Sequence, residues 1–180
     1  MTEVSFLRRP AIPAFQLRWL GSEKPADGGK TERIMDIQNE PVTFIVGVDG
    51  SDSSVEALRK ALWLAEPLGA QVKALTCWNY PSAYTVPYAL GNFSFKETAQ
   101  KSLDDAVERA FGLDLPRDLT TQLIQGSARP VLIEASKDAA LLILGRRGFG
   151  GFKELLMGSV SSACAAHASC PVLIVRAHDE

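Results

Sequence analysis

Cysteine, histidine and net charge are all scarce in this sequence. The chain of 180 residues has 3 cysteines and 2 histidines, and its formal charge is −2. Cys77, Cys164 and Cys170 are odd in number and lack CxxC spacing, which argues against a disulfide framework and against a zinc site. A reducing compartment suits such a chain, and the expected location is the cytoplasm. So even a charge balance points to no nucleic-acid partner and to no solvating acidic tail. The apolar runs are short and strand-like, so no membrane-spanning helix is expected. The rest is ordinary globular composition, 46% hydrophobic and 22% charged.

The length suits one domain plus an extension. Residues 1–40 are expected to form a flexible N-terminal extension, and residues 41–180 the folded domain. In the extension, Arg8-Arg9-Pro10, Pro13, Lys24-Pro25 and Asp27-Gly28-Gly29-Lys30 break any periodicity. Phe15 to Leu20 is too short and too polar for a signal-peptide core. Besides a flexible arm, two readings stay open. Met35 could be the natural start, or the arm could dock on a partner through Phe15, Trp19 and Leu20.

From residue 42 the pattern is regular. Val42 to Val48 is nearly continuous in apolar character, which marks a strand covered on both faces. Asp49 to Ser54 is a turn rich in helix-capping residues. Val55, Leu58, Ala61, Leu62 and Ala65 then recur at helical spacing, and Gly69 ends that helix. Further strands are expected at 72–78, 120–125, 139–144 and 171–175. Helices are expected at about 95–111, at 129–136 and from Gly158 to Ala168. A loop around Tyr80, Tyr84 and Tyr88 is either a lid over a ligand or a surface loop packed on itself. The order β-α-β-α-β-α-β-α-β predicts an α/β fold: a single doubly wound five-stranded parallel sheet with helices on both faces, Rossmann-like. Ligands in such sheets bind at the carboxyl ends of the strands.

Two strand ends carry candidate chemistry. Gly145 closes the most apolar strand, and Gly148, Gly150 and Gly151 follow it. Glycine lets backbone N–H groups approach an anion closely. Gly158-Ser159 then opens a helix, with Ser159 suited to the N-cap, and a helix N-terminus is a natural phosphate site. Arg146 and Arg147 add positive charge. A bare flexible connection is the competing reading. The spacing G-x2-G-x9-G-S between a buried strand and a helix favours a phosphate cradle. It is not a Walker loop, because no Gly-Lys-Ser/Thr follows the first glycines. At the other strand end, Asp49 suits ribose hydroxyls or an exocyclic amine. Alternatively Asp49, Ser51 or Ser53 simply caps the following helix.

Residues 42–175 resemble the universal stress protein family. The resemblance rests on Val46-Gly47-Val48-Asp49-Gly50-Ser51, on Gly145-Arg146-Arg147-Gly148 followed after nine residues by Gly158-Ser159-Val160, and on Cys170-Pro171-Val172-Leu173-Ile174-Val175. The glycine pattern is that of the ATP-binding members. The resemblance implies a nucleotide-binding domain whose cofactor is ATP, or else ADP or AMP, with Mg²⁺ entering through the phosphates. It implies that Gly47, Val48 and Asp49 line the nucleoside end and that Cys77 meets adenine through its backbone. Leu144 and Gly145 would flank the ribose and phosphates. Arg147, Gly148, Gly158, Ser159, Val160 and Ser161 would hold the phosphate chain. It also implies a homodimer through the last strand, Val172 to Val175, an apolar edge that needs cover in any case.

Support for catalysis is weak. His167 and His178 are distant in sequence from Asp49 and read as structural or solvated. No HxGH or GxSxG motif is present, and a single carboxylate is a poor dedicated metal site. No positioned base for water is visible, so hydrolysis of ATP is expected to be slow at most. Three functions stay in play: an ATP-binding regulatory or stress-response protein, a slow ATPase phosphorylated on Ser159 or Ser161, and a nucleotide-free interaction module.

Overall fold

The computed structural model of the protein describes residues 42–80, 95–149 and 156–177. Expectations for residues 1–40, Tyr84, Tyr88, Gly150, Gly151 and His178 lie outside the described residues. Five strands, β1 (Thr43–Gly47), β2 (Gln71–Trp78), β3 (Leu119–Gln125), β4 (Leu141–Gly145) and β5 (Val172–Val175), alternate with four helices. These are α1 (Asp52–Ala65), α2 (Phe95–Phe111), α3 (Ala128–Ala135) and α4 (Ser159–His167). α1 starts ahead of its apolar spacing because Ser51 caps it, accepting the Ser54 N–H on its side chain. It is followed by a short 3₁₀ turn, Glu66–Leu68, and then by Gly69 in the left-handed region at φ 60°.

The sheet is parallel throughout, in the order β3-β2-β1-β4-β5. The chain winds outward from β1 to β3, then returns to the other side of β1 for β4 and β5. β1 and β4 are therefore neighbours whose connections leave in opposite directions. That reversal opens a crevice above their carboxyl ends, where doubly wound folds place ligands.

Successive side chains of each strand go to opposite faces. Phe44, Val46, Val48, Val72, Ala74 and Ile143 pack with Val55, Leu58 and Ala61 of α1 and Leu103, Ala106 and Val107 of α2. Ile45, Leu75, Leu142 and Leu144 pack on the other face with Leu132 of α3 and Cys164 of α4. Both faces of the central strands are thus buried, which is why β1 and β4 read as continuous apolar runs. Fully buried side chains such as Leu58, Leu142 and Ile143 contribute roughly 1.5–3 kcal/mol each. β3, an edge strand, exposes Thr120, Thr121 and Gln122.

Candidate functional site

The crevice is walled by two loops, one after β1 and one after β4. The β1 loop is a self-bonded turn. Asp49 Oδ1 accepts the Ser51 N–H at 3.1 Å and the Ser51 hydroxyl at 2.6 Å. Of the capping alternatives in the sequence, Ser51 caps α1 and Asp49 shapes the turn that brings Ser51 there. The same turn grips the glycine loop. The Ser53 hydroxyl donates to the Arg147 carbonyl, the Ser51 hydroxyl approaches the same oxygen at 3.2 Å, and Phe149 N–H donates to Asp49 Oδ2 at 3.2 Å. Close approach explains two glycines. A Cβ on Gly145 would lie 2.5 Å from Ser53 Oγ and 2.8 Å from the Ser53 backbone carbon, and one on Gly148 would strike Asp49 Oδ2.

Two helix N-termini meet at this crevice, and they differ. That of α1 is closed by the Ser51 cap, with the Arg147 carbonyl drawn onto its serines. That of α4 has no side-chain cap. The expected N-cap Ser159 is not the cap. Gly158 takes that place with extended φ −69° and ψ 155°, because its N–H is tied to the Arg146 carbonyl at 2.8 Å, and Ser159 is the first helical residue. The N–H groups of the first turn of α4 therefore face the crevice without an intrahelical partner. Ser161 braces them, since its buried hydroxyl donates to the Gly145 carbonyl at 2.7 Å.

These features enclose a cavity of ≈ 550 Å³, a size suited to a small-molecule or cofactor site. It is lined by all of the predicted positions: Gly47, Val48, Asp49, Cys77, Leu144, Gly145, Arg147, Gly148, Gly158, Ser159, Val160 and Ser161. Among the described residues, one buried side-chain nitrogen lacks a hydrogen-bond partner, and it is Nε of Arg147. A buried guanidinium nitrogen left unpaired is costly, and Arg147 is among the residues that line the cavity.

The far end of the cavity is set by strand register. In β2, Gln71 N–H bonds to Val42 and the Leu75 carbonyl accepts Val48 N–H at 2.8 Å, so odd-numbered residues direct their backbone groups toward β1. β1 ends at Gly47, opposite Leu75. The N–H and C=O of Cys77, two residues further on, thus project past the end of β1 at the cavity. The Cys77 thiol is pushed up to about 11, mainly by burial and then by the nearby Cys164. The thiols of Cys164 and Cys170 are raised by burial as well. All three cysteines are free.

The sequence profile of the Universal stress protein family matches residues 43–176. The chain belongs to the universal stress protein family. It is 34% identical over 151 residues to Universal stress protein Rv2623 of Mycobacterium tuberculosis (strain ATCC 25618 / H37Rv), covering 79% of this chain and 49% of that protein. The chain thus spans about half the length of that mycobacterial relative. It is 31% identical over 148 residues to Universal stress protein YxiE of Bacillus subtilis (strain 168), covering 74% of this chain and 97% of YxiE. Two solved structures share the fold. Universal stress protein UspA from Lactobacillus plantarum gives a TM-score of 0.55 at 23% identity, covering 77% of this chain and 100% of its own. A universal stress protein in complex with cAMP gives 0.53 at 24% identity, covering 76% and 97%.

Several lining residues of this family member went unpredicted: Ser54, Leu75, Ala128, Leu132, Phe149 and Met157. Leu75 had a readable signal, since it shares the Cys77 face of β2 by two-residue alternation. Ala128 and Leu132 stand four apart on α3, the helix that follows the end of β3 at Gly126-Ser127, and that spacing puts both on one side. Among the described residues no group of three or more His, Cys, Asp or Glu is arranged for a metal, and no described helix is long and apolar enough to cross a membrane.

Proposed function

We propose that this protein binds ATP, or the related ADP or AMP, in the cavity above β1 and β4, and that occupancy regulates its association with other molecules in the cytoplasm rather than driving efficient catalysis. One observation carries this reading. The uncapped N-terminus of α4 and Arg147 line the same cavity, at the crevice of a doubly wound sheet. In this reading the amides near Gly158, Ser159 and Val160, together with Arg147 and Gly148, hold the phosphates. The apolar end, with Gly47, Val48, Leu144 and the projecting Cys77 backbone, takes the nucleoside. One N–H and one C=O side by side match the acceptor and donor on the edge of adenine. A cyclic adenine nucleotide is bound by one structural neighbour, which is in keeping with the same class of ligand.

The lining offers little for phosphoryl chemistry. Asp49, the one carboxylate of the lining among the described residues, already accepts three hydrogen bonds from the two loops. The raised pKa of the Cys77 thiol keeps it protonated near neutrality. A divalent cation such as Mg²⁺ would come with the phosphates. Mass spectrometry of the supernatant from denatured, freshly purified protein tests the reading. An adenine nucleotide close to one per chain is expected. A clean supernatant, together with no heat on titrating ATP into the protein, would remove it.

A further inference from the structure

Away from the cavity, a polar cluster joins α1, α2 and the β1 loop. Arg109, in the last turn of α2, donates from Nη1 to the Gly50 carbonyl at 3.0 Å and from Nη2 to Asp52 Oδ1. Its own carbonyl accepts Nη2 of Arg59 at 2.6 Å, and the Ala110 carbonyl accepts Arg59 Nε at 3.3 Å. Arg59 of α1 thus holds the end of α2 from which Arg109 reaches back to the loop.

The contacts converge on Gly50. Its φ is 87°, in the left-handed region, and a Cβ there would strike Ser102 Oγ of α2 and lie 3.1 Å from Cε2 of Phe149. The loop is therefore pressed between α2 on one side and the glycine loop on the other. Its next residues are those that grip the glycine loop: Asp49 through Phe149 N–H, and Ser51 and Ser53 through the Arg147 carbonyl.

We propose that Arg109 is a positioning residue of the nucleotide site: it fixes the Asp49–Ser53 turn and, through Asp49, the phosphate half of the cavity. The inference rests on the nucleotide-binding reading and deepens it. One planar guanidinium spans the Gly50 carbonyl and the Asp52 carboxylate, whereas a lysine ammonium reaches one of them as a point charge. The pair is exposed, with Arg109 and Asp52 side chains 47% and 80% accessible, so it adds little to global stability. Its effect is felt locally, where the turn has one backbone conformation to hold.

Calorimetric titration with ATP tests this on the wild-type chain, Arg109→Lys, Arg109→Met, Asp49→Asn and the double variant Arg109→Lys/Asp49→Asn, each checked by thermal melting. Arg109→Lys and Arg109→Met are expected to bind ATP about tenfold more weakly with little change in melting. In the Asp49→Asn background the Arg109→Lys effect should shrink, because the Asp49–Phe149 branch of the route from α2 to the glycine loop is already weakened, while the Ser51 and Ser53 contacts remain. Unchanged ATP affinity in the Arg109 variants overturns the proposal, and so does an undiminished effect in the Asp49→Asn background. A wild-type chain that binds no ATP overturns the nucleotide-binding reading itself.

Discussion

Ser159 and Ser161 are separated by one residue and have different roles. Ser161 is buried and spends its hydroxyl on the Gly145 carbonyl, so it shapes the crevice. Ser159 is exposed at the start of α4 and offers its backbone N–H to the cavity. Cys77 is similarly divided. Its backbone projects past the end of β1, and its thiol is held up to about 11 from an ordinary 9.0, burial being the main cause. This gives a pH prediction. Alkylation of Cys77 by iodoacetamide should stay slow through pH 9 and reach half its limiting rate near pH 11. The sign for stability follows. Between pH 9 and 11 the unfolded chain gives up the Cys77 proton while the folded chain keeps it, so this residue lowers stability as pH rises there. A half-maximal rate near the ordinary 9.0, read by peptide mass spectrometry across a pH series, would contradict the burial of this thiol.

At the scale of elements, strand parity decides which backbone groups are free. In β5 the Pro171 and Val175 carbonyls accept Leu142 and Arg146 N–H groups, so odd-numbered residues face β4. Val172 and Ile174 turn theirs away from β4, to the edge of the sheet where the homodimer implied by the family resemblance would pair. Val172→Pro removes one outward N–H and leaves the ladder to β4 intact. Sedimentation velocity should show a dimer for the wild-type chain and a monomer for this variant, with circular dichroism unchanged. A wild-type monomer, or a variant that remains dimeric, refutes pairing through this edge. The elements were largely legible in the sequence, because both faces of β1 and β4 are buried and their apolar runs are unbroken. Ends were less so. The N-cap of α4 falls on Gly158 instead of Ser159, since a long-range bond to Arg146, invisible in local sequence, fixes the first helical residue.

Across the whole molecule, the site exists because the sheet order reverses between β1 and β4. The residues of the motif were legible because glycines and serines stand at strand ends at fixed spacing. Phe149 and Met157 were not, because apolar residues on loops show no sign of facing a cavity until the layers are assembled. The clamp by Arg109 was hidden for a related reason: it joins residues that only the packing of α2 on α1 brings together. The central claim is that the open N-terminus of α4 receives phosphate, and Gly158→Asp tests it most directly. Gly158 has extended dihedrals suited to an N-cap, and an aspartate there would take the free N–H groups for itself, provided the Arg146 carbonyl 3.3 Å from the new Cβ gives slightly. Calorimetry with ATP, paired with thermal melting, should show a fold at least as stable as the wild type and an affinity reduced by about a hundredfold or more. ATP affinity equal to that of the wild type, in a variant that melts no lower, would contradict the placement of phosphate at α4.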